Sequence, residues 1–328
     1  MHAYPLLELL AVGFVLALFF GYLAQRVGLS PIVGYLLAGF LAGPNFPYFP
    51  FVADAHYAAE LSEAGVILLM FGVGLHFNMN DLIAVKGVAL PGAIAQSTVA
   101  TVLGTLAAWQ FGFSTGAGLV LGMGLAVAST VVLLRVLTDN NVLDTVHGHV
   151  AVGWLIVEDI FTVLILVLLP SIATAVGSQA GVGAVDMLLA LGLALVKLAA
   201  MWVLILMVGG KVVPWLLTQV AKTRSQELFT LTVLVVAFAT AVGAAAVFGA
   251  SMALGAFLGG MVVGKSSVSH KAGADLLPLK DAFSVLFFVS VGMLFAPSFI
   301  LEHPGMVLTC FLIVIVAKPL VAIIVVSL

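Results

Sequence analysis

Leu68-Leu69-Met70-Phe71-Gly72-Val73-Gly74-Leu75-His76-Phe77 returns in altered form as Leu286-Phe287-Phe288-Val289-Ser290-Val291-Gly292-Met293-Leu294-Phe295. Glu63 and Asp281 stand at matching places ahead of the two copies. A second pair, Gly39-Phe40-Leu41-Ala42-Gly43 and Ala256-Phe257-Leu258-Gly259-Gly260, keeps nearly the same spacing. Two matches in register point to an internal repeat rather than to shared composition alone. What the repeat means depends on how often the chain crosses a membrane between the copies.

That it crosses one follows from composition. Apolar residues make up 63% of the chain and charged residues only 8%, a balance that no soluble domain of 328 residues could carry on its surface. With about 20 apolar residues per crossing, fewer where a helix is tilted or broken, the sequence divides into eleven spans. They cover residues 5–25, 30–43, 59–77, 85–112, 115–137, 147–169, 185–213, 227–248, 251–264, 282–295 and 305–328. The connections are short and carry Pro, Gly or Asn, as in Gly43-Pro44-Asn45, so the chain reads as one membrane domain. Residues 5–25 lack a preceding basic region and a cleavage site, and read as a retained span.

Basic residues test the count, because cytoplasmic connections carry the excess of them. Arg26, Lys86, Arg135, Lys211, Lys222, Arg224, Lys265, Lys271 and Lys280 fall in or beside the connections after spans one, three, five, seven and nine. The alternate connections have neither Lys nor Arg. This places the N-terminus outside a cell inner membrane. Seven spans then separate the repeat copies, an odd number, so the second copy runs through the membrane inverted. Inverted repeats are a mark of secondary transporters, which hold substrate near the midplane between the repeats. The expected division is a first inverted repeat over 1–170, a connector helix over 185–213 and a partial second repeat over 227–328. Spans five and six lack partners in the second repeat, and the sequence stops within an apolar run at Ser327-Leu328, so the domain reads as C-terminally incomplete.

Several function classes drop out. A net charge of −3 with scattered basic residues does not suit nucleic acid. The single cysteine, Cys310, allows no disulfide framework within the chain. His147 and His149 point to different helix faces, and no other cluster has metal-ligand spacing, so neither a resident metal nor a cofactor is expected. Gly116, Gly118, Gly122 and Gly124 lie inside a span with no preceding strand, and read as helix-packing glycines rather than a nucleotide loop. The pairs Gly39/Gly43 and Gly260/Gly264 fit close helix approach, within a protomer or across a homodimer.

The chemistry concentrates in Trp154-Leu155-Ile156-Val157-Glu158-Asp159-Ile160-Phe161. The two acids lie about 16 Å along the helix from its polar start, close to the bilayer centre. An ionised carboxylate there costs on the order of 3 kcal/mol, so the pair needs a partner, a bound cation or protons. Competition of cation and proton for one carboxylate is, in miniature, an exchange mechanism. The alternative is a structural pair satisfied by hydrogen bonds. Lys318, at similar depth and followed by Pro319, is a candidate counter-charge to one of the acids. Lys197 reads as structural or lipid-facing. In Ala126-Val127-Ala128-Ser129-Thr130-Val131-Val132, hydroxyl and small residues interrupt an apolar helix, where an unwound backbone could help coordinate a cation. Gln96 is a weaker candidate for lining the same site.

The tracts Val33-Gly34-Tyr35-Leu36-Leu37-Ala38-Gly39, Ala64 to Leu75, Ala128-Ser129-Thr130 and Phe287-Phe288-Val289-Ser290-Val291-Gly292-Met293 resemble the monovalent cation:proton antiporter-2 family. The likeness is to its Kef-type potassium/proton branch, nearest the YbaL-like members, and covers essentially the whole chain. It implies an all-helical inverted-repeat antiporter fold of thirteen spans, eleven of them present here, with crossed broken helices, a homodimer and an elevator-like movement. It further implies that Asp159 is the ion-binding aspartate, that Thr130 lies at a helix break and that Lys318 is the membrane-embedded lysine. Potassium-efflux members have glutamine where this chain has Glu158, which leaves ion choice and stoichiometry open. The expected activity is exchange of K⁺ or Na⁺ for H⁺. In it Asp159 binds cation and proton in turn, Glu158 shares or modulates the proton, Ser129 and Thr130 support coordination and Lys318 balances charge. A gated cation channel and a non-transporting membrane sensor are the rival readings. An intramembrane aspartate protease would need acids on two facing helices, whereas these are neighbours.

Overall fold

A computed structural model describes residues 5–46, 55–77, 79–177 and 184–327. They form fifteen α-helices, with no strand among the described residues. The first seven are α1 (Pro5–Arg26), α2 (Pro31–Ala42), α3 (Ala55–His76), α4 (Met79–Gln110), α5 (Thr115–Ala126), α6 (Thr130–Asp139) and α7 (Val146–Gly177). The rest are α8 (Ala184–Val203), α9 (Gly210–Lys222), α10 (Gln226–Phe248), α11 (Met252–Gly264), α12 (Ser269–Met293), α13 (Pro297–Glu302), α14 (Pro304–Leu312) and α15 (Lys318–Ser327). Two π-helical segments, Leu204–Gly209 and Ile313–Ala317, join α8 to α9 and α14 to α15.

The helix starts are written into the sequence. Ser30, Ser114, Ser129, Ser225 and Ser251 each accept a hydrogen bond at Oγ from a first-turn N–H, capping α2, α5, α6, α10 and α11. At the other end, α10 stops at Gly249, whose φ of 71° lies in the left-handed region that glycine enters without steric cost.

Each of the eleven expected spans falls on a helix or on consecutive helices. Among the described residues, six stretches can cross a membrane by length and hydropathy: Leu6–Arg26, Ile83–Gln110, Gly192–Lys222, Gln226–Phe248, Ser269–Met293 and Pro304–Ser327. α2, α5 and α11, of 12, 12 and 13 residues, are apolar but shorter than a full crossing. Among the described residues, length and hydropathy therefore support six spans rather than the eleven expected. Just ahead of Pro319 the helix widens into the π segment Ile313–Ala317 and resumes as α15 at Lys318.

One packing arrangement occurs twice. A Cβ on Gly39 of α2 would run into the Val289 carbonyl of α12 and stand 2.9 Å from the Cα of Gly292. A Cβ on Gly260 of α11 would run into the Phe71 carbonyl of α3 and stand 3.0 Å from the Cα of Gly74. One turn later, Gly43 meets Met293 and Gly264 meets Leu75 in the same way. The reverse contacts agree: Gly292 abuts the Leu36 carbonyl and Gly74 the Phe257 carbonyl. Gly74 and Gly292 are counterparts in the sequence repeat, but Gly39 corresponds spatially to Gly260, one helical turn from the sequence match of Gly43 with Gly260. α3 and α12 also pack on each other, and Gly65 touches the carbonyl of Phe283, the residue that the repeat assigns as its own counterpart. Phe71, Phe257 and Phe229 fill the interior of this region.

A second group of helices holds the deep polar residues. α4 packs along α5 and α7, and α15 lies on α4. α4 meets α5 backbone to backbone at Gly104 and Gly122, and meets α7 where the Trp154 ring lies over Gly92.

Candidate functional site

Between α5 and α6 the helix is broken. Val127 and Ser129 are extended, with φ/ψ of −69°/128° and −75°/102°, and the Ser129 side chain starts the new helix at Thr130. The β-branched Val127 and the capping Ser129 favour this break. Two unsatisfied helix ends are thereby brought together inside the bundle, carbonyls at the end of α5 and N–H groups at the start of α6. The first set attracts positive charge and the second negative charge.

Opposite charges meet the two ends. Lys318, 8% exposed, donates from Nζ to the carbonyls of Leu125 at 3.2 Å and Ala126 at 2.7 Å. Glu158, 3% exposed, accepts at Oε2 from the Ala128 N–H at 3.0 Å and at Oε1 from the Gln96 amide at 3.0 Å. The Trp154 indole, one turn earlier on α7, is a further hydrogen-bonding neighbour of Glu158, and Lys318 lies within electrostatic reach of it. Asp159 faces the same break from the next position. Its Oδ1 stands 3.5 Å from the Thr130 hydroxyl, the outer limit for a hydrogen bond, and its buried Oδ2 has no hydrogen-bond partner.

The residues singled out in the sequence thus converge on one break: Glu158 and Asp159 from α7, Ser129 and Thr130 from the start of α6, Lys318 from α15. Their jobs differ from one another. Ser129 uses its hydroxyl as a cap, at 3.4 Å from the Val132 N–H. Lys318 acts chiefly on the α5 carbonyls and on Glu158. Gln96 sits against Glu158 rather than merely lining the space, and only its mid-span polarity marked it in the sequence. Lys197 is exposed on the outer face of α8. At the far end of α6, Arg135 bonds Asp139 at 3.1 Å and reaches Asp281 of α12 at 3.8 Å, joining the site's helix to the glycine-packed group.

A family model described as "Sodium/hydrogen exchanger, transmembrane" matches residues 14–328. The chain belongs to this family. Among relatives, YbaL of Escherichia coli (strain K12), provisionally named a cation/proton antiporter, is 50% identical over 321 residues, 98% of this chain and 57% of its own length. K(+) efflux antiporter 1, chloroplastic, of Arabidopsis thaliana is 33% identical over 304 residues, 92% of this chain and 25% of the plant protein. The chain therefore spans little more than half of the first and a quarter of the second. Its fold matches the sodium proton antiporter MjNhaP1 of Methanocaldococcus jannaschii with a TM-score of 0.67 at 15% identity, over 100% of this chain and 79% of that one. Membership of a transmembrane transporter family, with six helices long and apolar enough to span, makes this a multi-pass membrane protein.

Proposed function

We propose that the chain exchanges a monovalent cation, K⁺ or Na⁺, for protons by alternating access, and that Asp159 binds each in turn. The observation that carries this reading is the buried Oδ2 of Asp159, an acceptor with no hydrogen-bond partner beside a broken helix. A bare carboxylate oxygen in such surroundings is costly, and either a cation or a proton relieves the cost, so the two compete. Glu158 has donors on both oxygens, and its neighbour Lys318 balances its charge. Thr130 and the loosened backbone around Ser129 supply further oxygens. The YbaL and potassium-efflux relatives support cation exchange as the activity.

In this reading the chain contributes eleven spans of a thirteen-span inverted-repeat antiporter. The repeats run over 1–170 and 227–328 and are joined through 185–213. The N-terminus faces outward from a cell inner membrane, and the protein works as a homodimer in lipid with no cofactor in this part of it. The twice-built glycine packing of α2 on α12 and α11 on α3 supports the repeat. The test is exchange in everted vesicles: Asp159→Asn is expected to abolish cation-driven proton movement, and full exchange in that variant would refute the assignment.

A further inference from the structure

Two of the donors that hold Glu158 reach it from different directions. The Ala128 N–H comes from the helix break and takes Oε2; the Gln96 amide comes from mid-α4 and takes Oε1. Gln96 is itself only 8% exposed, so its amide is committed to a buried partner rather than to water. One turn before Gln96 on α4 and one turn before Glu158 on α7, the Trp154 ring lies so close over Gly92 that a Cβ there would run into it. The two helices are thus fixed in register by two contacts a turn apart, and the Gln96 amide cannot drift from the carboxylate.

From this geometry we infer that Gln96 is a positioning residue that keeps Glu158 out of the cation's coordination shell, so that Asp159 alone is open to it. The inference rests on the reading that Asp159 takes the cation. Both carboxylates face the same three-residue break, Glu158 through Ala128 and Asp159 through Thr130. Without the Gln96 amide, Glu158 loses the donor that aims Oε1 toward α4, and the carboxylate can turn toward the open Oδ2 of Asp159. A cation entering the site is then held by two carboxylates instead of one. It binds more tightly and leaves more slowly, which is the opposite of what a loosened site does.

The test uses wild type, Gln96→Met, Gln96→Asn and Asp159→Asn. Gln96→Met removes the donor while nearly preserving volume, and Gln96→Asn keeps an amide one methylene too short to reach. Exchange in proteoliposomes is measured against K⁺ and Na⁺ concentration, and binding is read as thermal stabilisation of the detergent-purified protein by the same ions. Both Gln96 variants are expected to lower the apparent KM by about three- to tenfold, the net worth of one ordinary hydrogen bond, and to lower the maximal rate as well. A purely structural role for Gln96 would lower the rate with KM unchanged or raised, and that result in the variants overturns the inference. Should Gln96→Met fail to yield folded protein, Gln96→Asn decides by the same criterion. If Asp159→Asn retains stabilisation by the cation, the underlying reading of the site fails; if it loses stabilisation while neither Gln96 variant tightens binding, only the role of Gln96 fails.

Discussion

The Nζ of Lys318 stands 2.7 Å from the carbonyl oxygen of Ala126, a hydrogen bond between residues 192 positions apart in sequence. It ties α15 to the end of α5 at the point where that helix loses its own donors. Lys318→Met would leave two buried carbonyls without this donor and Glu158 without its charged neighbour. Losing the donor for a buried acceptor costs about 1–3 kcal/mol. The expected outcome is a clear drop in the thermal unfolding temperature of the purified protein, with exchange reduced. An unchanged unfolding temperature would mean that the α5 terminus is satisfied in some other way.

The repeated glycine packing makes a paired prediction. At Gly74 an added methyl meets the Phe257 carbonyl, and at Gly292 it meets the Leu36 carbonyl. Backbone cannot move aside as a side-chain tip can, so Gly74→Ala and Gly292→Ala should each destabilise by about 1–3 kcal/mol through overpacking. Because the surroundings are counterparts, the two losses should be similar. Gly87 and Gly243 have open space around them, and alanine there is expected to be tolerated in the same unfolding assay.

Thr130 offers a graded test. Its hydroxyl is 3.5 Å from Asp159 Oδ1, too long for a strong bond, so it contributes little to the fold as it stands. Thr130→Val should leave stability within about 0.5 kcal/mol, the range of a substitution that breaks no strong contact. If the hydroxyl closes on a bound cation, the same variant should raise the apparent KM by about two- to fivefold, the worth of a weak oxygen contact, while Thr130→Ser should behave as wild type. Concentration series of K⁺ and Na⁺ in proteoliposomes separate these outcomes.

Much of the fold was legible because lipid imposes a simple rule on sequence: every expected span lies on helix. The break near Ser129 was legible only beside Glu158 and Asp159, since small and hydroxyl residues in an apolar run also serve as glue between membrane helices. The partner of Gln96 was not, because a single mid-span amide carries no direction, and only the closeness of α4 and α7 at Gly92 and Trp154 aims it. The two π segments escaped notice for a similar reason, as Leu204–Gly209 and Ile313–Ala317 contain only residues that an ordinary helix accepts. The repeat in α2 and α11 was recognised one turn out of register. Gly-Phe-Leu tracts match one another at several offsets, and which glycine faces which carbonyl is decided by packing.

The glycine crossings also constrain how this molecule can move. α2 touches α12, and α11 touches α3, through bare backbone at residues that lack side chains. A slip of one position along either crossing would carry a neighbour such as Leu75 or Met293 into a gap that admits only hydrogen. Interfaces lined by flexible side chains can repack and slide; these two have nothing to repack, and they act as mechanical stops. On the proposed transport cycle, α2, α3, α11 and α12 are expected to keep these crossings fixed as a stator, with rearrangement falling on the helices that carry Gln96, Glu158, Asp159 and Lys318.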